Sequence, residues 1–266
     1  MVSKPGKNRK IIFFCIHLHV FCLGFGNAVQ AENFVIGVED VSYYPYFDFT
    51  SDNSSFTKAL FDQFAKDEGH QISYLPLPIR QFPKWLYEEN IDFKFPDNTR
   101  WQKSSNIHHL KTHFSDEVLA MTAGTLVLAK NRHKDESFFK NIGTITGFHP
   151  TLWVKQIEQG KVIIYEDSSA KILVKYLVNG LVDGLDIDLA VANDGLQKLH
   201  IQQELVINQN ITKQIYSYKL STVKYPKIIK QFNQWLVKRR KFIDTLKSEF
   251  RILAVKSDKI DIIKNK

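Results

Sequence analysis

Cysteine is nearly absent from this 266-residue chain, and its two cysteines, Cys15 and Cys22, both fall within the first 31 residues. Beyond residue 31 there is no disulfide, no thiol nucleophile and no thiolate metal ligand. The 235 residues that follow (266 less 31) must hold together by their core, and they are numerous enough to build one. Long hydrophobic runs are also lacking there. No stretch of roughly 18 apolar residues occurs, so no transmembrane helix is expected. Low-complexity segments and short repeats are missing too. The chain has no Gly-x-Ser-x-Gly, no Gly-rich phosphate loop and no Cys/His pair. No catalytic residue and no cofactor is therefore assigned, and no enzyme is expected.

Three histidines, His108, His109 and His113, lie close in sequence, and 109 and 113 would share a helix face. No cysteine or adjoining carboxylate pattern completes a metal site, so no metal is expected. Glu88, Glu89 and Asp92 sit at a helix end and do not read as a catalytic pair. The net charge is +8, but Lys4, Lys7, Arg9 and Lys10 precede the first acid, Glu32. Without them the charge falls to +4, which gives little support for nucleic-acid binding.

Those first residues have their own meaning. A basic start leads into a mostly apolar run from Ile11 to about Gly26, interrupted by His17 and His19. Ala28-Val29-Gln30-Ala31 follows, with small residues at the last and third-last positions before a cut after Ala31. This is the pattern of a cleavable signal peptide over 1–31. The run is short for a membrane span, which needs roughly 20 apolar residues. Val20 and Phe21, before Cys22, are not the small residues of a lipoprotein site. Export to the periplasm is expected.

The rest alternates strands and helices. Strands are expected at 34–38, 72–75 and 91–95, with helices at 56–67 and 83–88 between them. Phe56, Leu60, Phe61 and Phe64 fall at helical spacing, and residues 52–55 offer N-caps. A long β segment over 119–129 separates this block from a second one. There, strands at 141–145, 162–165 and 182–187 alternate with helices at 150–159, 168–178 and 189–199. Two β-like segments, 204–207 and 214–220, precede one long helix from Pro226 to about Phe250. The tail 256–266 reads as poorly ordered. Alternation of this kind predicts parallel sheets covered by helices, in two lobes.

Four segments carry a resemblance. Val35-Ile36-Gly37-Val38 leads to Tyr44-Pro45-Tyr46-Phe47. Phe114-Ser115-Asp116 follows, then Ile142-Gly143-Thr144-Ile145-Thr146-Gly147. The last is Gly180-Leu181-Val182-Asp183-Gly184-Leu185-Asp186-Ile187-Asp188. In this order and spacing they resemble the family 3 extracellular solute-binding proteins. The resemblance covers nearly all of 33–250 and implies an α/β, two-lobed periplasmic-binding-protein type II fold with a two-segment hinge. It implies a discontinuous first lobe over 32–117 and 205–250, a second lobe over 118–204 and a C-terminal tail over 251–266. The chain departs from the family at Asp52-Asn53-Ser54-Ser55-Phe56, where a Gly-x-x-x-Gly is usual. The family's carboxylate-clamping arginine lies about six residues before Phe-Ser; here the nearest, Arg100, is fourteen before Phe114. It reads as a divergent subgroup.

Such a binder closes two concave walls around a solute. Tyr43, Tyr44 and Tyr46 offer a flat wall, or else pack under their loop. Arg100 offers a fork for a carboxylate, or a surface ion pair. Trp101 offers a ring to stack on, or a floor to the cleft. Thr146, with Gly147, precedes a helix expected near His149-Pro150, a place for an anion or an ordinary cap. Asp188 matches the aspartate that meets a ligand ammonium in the family, or it caps the helix from Leu189. Asp183 and Asp186 are expected to serve turns and lobe structure. The run Lys238-Arg239-Arg240-Lys241 reads as a solvated face. The expected partners are a small-molecule ligand, an amino acid or related carboxylate, and a membrane transporter or sensor protein. A monomer that binds no nucleic acid is expected.

Overall fold

A computed structural model describes residues 1–2, 32–52, 54–101 and 110–252. The expected signal peptide beyond its first two residues, His108, His109 and the tail beyond 252 lie outside the described residues.

The chain forms an α/β structure with two sheets. The first contains β1 (Asn33–Glu39), β2 (Gln71–Leu77), β3 (Phe93–Asp97), β4 (His113–Phe114), β5 (Leu119–Ala123) and β11 (Gln214–Thr222). Its order is β2-β1-β3-β11-β4, with β5 also paired to β11. β1 runs parallel to β2 and β3, while β11 is antiparallel to β3, β4 and β5. Helices α1 (Phe56–Glu68), α2 (Trp85–Glu88), α6 (Pro226–Lys238) and α7 (Arg240–Glu249) belong to this lobe. Phe56, Leu60, Phe61 and Phe64 all bury their side chains, as the helical spacing predicts. Gly69, at φ 74°, ends α1 in the left-handed conformation that glycine adopts without strain. Ser55 stands at the N-cap of α1 but makes no side-chain cap bond; its hydroxyl accepts from Asp48 N–H at 3.0 Å instead.

The second sheet is ordered β10-β6-β9-β7-β8. It contains β6 (Leu126–Leu128), β7 (Asn141–Ile145), β8 (Ile163–Asp167), β9 (Gly184–Asp186) and β10 (Leu205–Ile207), with α3 (Val154–Glu158), α4 (Ala170–Val178) and α5 (Leu189–Lys198) around it. β7 is parallel to β8 and β9. Asp183 accepts from Lys140 and Asn141 N–H at 2.8 and 2.9 Å, the turn role expected of it.

Four expectations change. The β segment 119–129 is two strands: β5 stays with β11, and β6 enters the second sheet. The break falls at Gly124, where a Cβ would meet Ile207 Cγ2 at 2.6 Å. Second, β10 pairs with β6, so the second sheet takes a strand from beyond 204, the limit drawn from sequence. Third, the helix expected from Pro150 starts only at Val154, because 149–153 form tight turns held by Trp153. That indole is buried and donates to Thr125 Oγ1 at 3.1 Å. Fourth, the final helix divides at Arg239 (φ −98°, ψ 18°). Its stripe of Ile229, Phe232, Trp235 and Leu236 is buried as expected.

The chain crosses between lobes twice, after β5 and before β11. Asn208 ties the second crossing down. It is buried, donates to Asn131 and Lys134 carbonyls at 3.1 and 3.0 Å, and accepts from Asn210 and Ile211 N–H at 2.8 and 3.0 Å.

Candidate functional site

In α/β sheets the carboxyl ends of parallel strands gather loops, and ligand sites form there. Here both sheets aim those ends at one cleft. Glu39 ends β1, and Tyr43 follows it. Ile79, Arg80 and Phe82 follow β2; Arg100 and Trp101 follow β3. From the second lobe come Gly147, Phe148, His149 and Thr151 after β7, and Asp186, Ile187 and Asp188 at the end of β9. Met121 to Ala123 of β5 and Tyr216 and Tyr218 of β11 complete a cavity of about 520 Å³. That volume suits a small molecule.

The lobes touch around this cavity. Arg80, one of its lining residues, donates to Glu166 of the other lobe at 2.9 Å. Gly147, at φ 88°, lies so close to Ile79 that a Cβ would stand 3.2 Å from it. Tyr43 and Phe148 rings lie 5.4 Å apart, and the Thr151 and Tyr216 hydroxyls are hydrogen-bonded.

Of the residues expected at the site, Tyr43, Arg100, Trp101 and Asp188 line the cavity. Tyr43 is buried and its hydroxyl accepts from Asp188 N–H at 2.8 Å. The Arg100 guanidinium donates to the Ile215 carbonyl at 2.7 Å and lies 5.3 Å from the Tyr216 ring centroid. Trp101 is 38% exposed and meets Phe82 and Tyr218, each at 5.5 Å. Tyr44, Tyr46 and Thr146 are not part of the cavity wall. Tyr44 packs against Phe250, with Lys198 Nζ over its ring. Tyr46 is buried and donates to Asp188 Oδ1 at 2.8 Å. Thr146 donates its N–H to the Asp167 carbonyl at 3.1 Å, and the next residue, Gly147, supplies the wall. With α3 starting at Val154, there is no helix N-terminus beside Thr146 for an anion.

Asp188 has two tasks already. It accepts from Ala190 N–H at 2.7 Å, capping α5, and it takes the Tyr46 hydroxyl. Burial pushes its carboxyl up to about 6, against the pull of those donors.

The residue that sequence reading passed over is Glu39. It is buried, and its Oε2 has no hydrogen-bond partner among the described residues. Burial alone pushes its carboxyl up from 4.5 to about 8. Asp186, expected to be structural, is raised by burial to about 7. Burial above all, with nearby carboxylates adding to it, holds Tyr43 and Tyr218 well above the ordinary tyrosine range. An acid two residues after Ile36-Gly37 gave no motif; its value shows only once β1 is seen to end in the cleft.

Of the three histidines only His113 is among the described residues, and it lies in strand β4 rather than on a helix. Among the described residues no group of three or more His, Cys, Asp or Glu could hold an ion. No helix among them is long and apolar enough to cross a membrane.

No family model matches the sequence, and no curated protein matches it. Solved structures do share its fold. An arginine 3rd transport system periplasmic binding protein from Legionella pneumophila aligns at TM-score 0.60 and 15% identity, covering 83% of this chain and all of that one. An ABC uptake transporter substrate binding protein from Streptococcus pneumoniae, with bound histidine, aligns at 0.63 and 15% identity over 85% of this chain and 95% of that one. An ancestral amino acid-binding protein, described as a precursor of cyclohexadienyl dehydratase, aligns at 0.62 and 18% identity over 82% and 95%. The chain thus has the two-lobed α/β fold of periplasmic binding proteins.

Proposed function

We propose that this chain is a divergent family 3 solute-binding protein of the periplasm. Its signal peptide exports it, and it captures a small polar solute, an amino acid or related carboxylate, by lobe closure. It hands the solute to a membrane transporter, with a sensor protein as the alternative recipient. It works as a monomer, without cofactor. The observation that supports this reading best is the 520 Å³ cavity between the lobes, walled by strand ends of both sheets. The similar structures named for arginine transport and for bound histidine support it further.

Isothermal titration against a panel of amino acids and organic acids is the test. Binding of a panel member, weakened by Arg100→Ala, is the expected result. Arg100 and Asp188 differ in what they should do. Arg100 has an exposed side chain at the cavity, whereas Asp188 is committed to Tyr46 and α5. Asp188→Ala should therefore lower stability as well as affinity. No binding across the panel would remove the reading.

A second reading has one observation behind it. Glu39 and Asp186, raised to about 8 and about 7, could exchange protons with a bound molecule near neutral pH. A dehydratase-like enzyme on this fold would need such groups. Turnover of a bound panel member, lost in Glu39→Gln, would favour it over simple capture.

A further inference from the structure

We infer that the exposed face of α6, with the start of α7, is a docking surface for an anionic lipid bilayer. Its lysines meet the headgroups and Val237 dips into the interface. This goes beyond solute capture and does not depend on it.

Charge is segregated along the chain. Residues 224–266 hold 13 Lys/Arg against 4 Asp/Glu, a net +9, whereas residues 32–223 hold 19 against 24, a net −5. From Leu205 to Ile243 there is no acid at all. A chain of modest overall charge thus carries a strongly basic end, and such asymmetry marks binding to an anionic surface.

The fold gathers part of that charge on one side of a helix. Ile229, Phe232, Trp235 and Leu236 bury one face of α6. Lys227, Lys230, Gln234, Val237 and Lys238 recur at helical spacing on the other face and are exposed. Lys241, in the first turn of α7, is exposed as well. Lys227, Lys230, Lys238 and Lys241 make no ion pair and no side-chain hydrogen bond among the described residues. Other bases nearby are engaged. Lys224 donates to the Ile91 carbonyl at 2.6 Å, Arg239 forks onto Asp67, and Arg240 pairs with Asp244 at 3.4 Å. Acids from other elements touch α6 at other residues: Asp67 at Trp235, Glu68 at Gln231, and Asp116 through its N–H at Asn233.

Val237 favours lipid over other polyanions. It is 75% exposed and stands beside Lys238. A nucleic-acid surface would present aromatic rings for stacking. Here Phe232 and Trp235 are buried and Phe242 is half-buried. A bilayer surface accepts both parts of the stripe, because lysine stems snorkel to the headgroups while an apolar side chain sinks between them. Docking would keep the chain beside the membrane transporter or sensor proposed for it and raise its effective concentration there.

Sedimentation with vesicles tests this on the mature chain, with no solute added, so that a failure of capture leaves the result intact. The vesicles are phosphatidylcholine with about 40% phosphatidylglycerol, in about 50 mM salt. Binding should be about tenfold or more tighter than to pure phosphatidylcholine, and should fall about tenfold in about 0.5 M salt. Changing Lys227, Lys230, Lys238 and Lys241 together to Gln should weaken it about tenfold or more. Changing Lys155, Lys161, Lys171 and Lys175, exposed lysines of the other lobe, to Gln removes the same charge and should leave binding within about twofold. These side chains are all exposed, so both variants should fold; circular dichroism checks that. Val237→Ser should weaken binding about threefold. Equal binding to the two kinds of vesicle overturns the inference, as does an equal loss in the two lysine variants. Tighter binding of a single-stranded oligodeoxynucleotide than of the anionic vesicles would make this a nucleic-acid surface and overturn it too. An unchanged affinity in Val237→Ser would overturn the insertion.

Discussion

Tyr46 and Asp188 stand 142 positions apart, yet the tyrosine hydroxyl donates to the aspartate at 2.8 Å from one lobe to the other. The same carboxyl oxygen caps α5 through Ala190 N–H. Tyr43 adds a second link by accepting from Asp188 N–H. A residue expected to greet a ligand is thus partly a joint between lobes. Tyr46→Phe keeps the ring in the core and deletes only the donor. It should cost about 1–2 kcal/mol, the price of a lost bond to a buried charged group. The midpoint of urea unfolding measures it. An unchanged midpoint would show that this bond does not hold the lobes.

The pH dependence of stability should carry the mark of Glu39. Its carboxyl rises from 4.5 to about 8 on folding. An acid with a raised folded pKa binds its proton more tightly when folded. Its proton-linked stability is present below about pH 4.5 and is lost as pH climbs to about 8. Asp186, raised from 3.8 to about 7, acts in the same direction. The other ionisable groups lining their cavity are Tyr43, Arg80, Arg100, His149, Asp188, Tyr216 and Tyr218. Melting temperature without solute should therefore fall between pH 5 and about 8.5, on the order of 1 kcal/mol or more in stability. Glu39→Gln should flatten part of that fall. Parallel profiles for wild type and variant would mean that Glu39 does not titrate in this window.

Asn208 should be among the costliest single positions in the crossing segment. Its side chain satisfies two carbonyls and two N–H groups in turns around 131–134 and 210–211. Asn208→Ala leaves those groups to find other partners in a buried place. The expected loss is about 2–4 kcal/mol. Asn208→Asp should lose at least as much, since it keeps the two acceptor bonds but sets a buried carboxylate oxygen against the Asn131 and Lys134 carbonyls. Chemical denaturation ranks the two, and an Asp variant as stable as the wild type would deny the amide donors their role.

Much of this architecture was legible because it rests on periodicity. The stripe of α1, the alternation of strands and helices and the apolar face of α6 all follow from side-chain spacing. What escaped depends on contacts between distant segments. Gly124 reads as part of a continuous strand until Ile207 is seen against it. Strand β10 is too short to declare which sheet it joins; its pairing with β6 decides that. The site was legible in part for the same reason. Tyr43, Arg100, Trp101 and Asp188 follow strands and reach the cleft, as strand-end residues do. Tyr46, in the turn after Tyr43, is buried in the core instead. Glu39 belongs to no local pattern, Asp186 sits in a motif that suggested a structural role, and only the meeting of two lobes brings them to one cavity.

The basic run on the final helices divides by the same logic. Lys238, Arg240 and Lys241 are exposed, as a solvated face predicts, but Arg239 turns inward. It forks onto Asp67 of α1 with two bonds of 2.7 Å, where the helix breaks between α6 and α7. Asp67 also accepts from the buried Trp235 indole at 2.8 Å and is held below the usual carboxylate range, with the Arg239 bonds the largest cause. The two partners should not be equivalent. Arg239→Ala removes a partly exposed ion pair, whose worth solvent screens. Asp67→Ala also strands the indole N–H in the core, a cost of about 1–3 kcal/mol. Asp67→Ala should therefore lower the melting temperature more than Arg239→Ala, and Asp67→Asn should recover part of the difference by accepting from Trp235. The reverse order would place the weight on the ion pair, and the break at Arg239 would then be held by charge rather than by the buried indole.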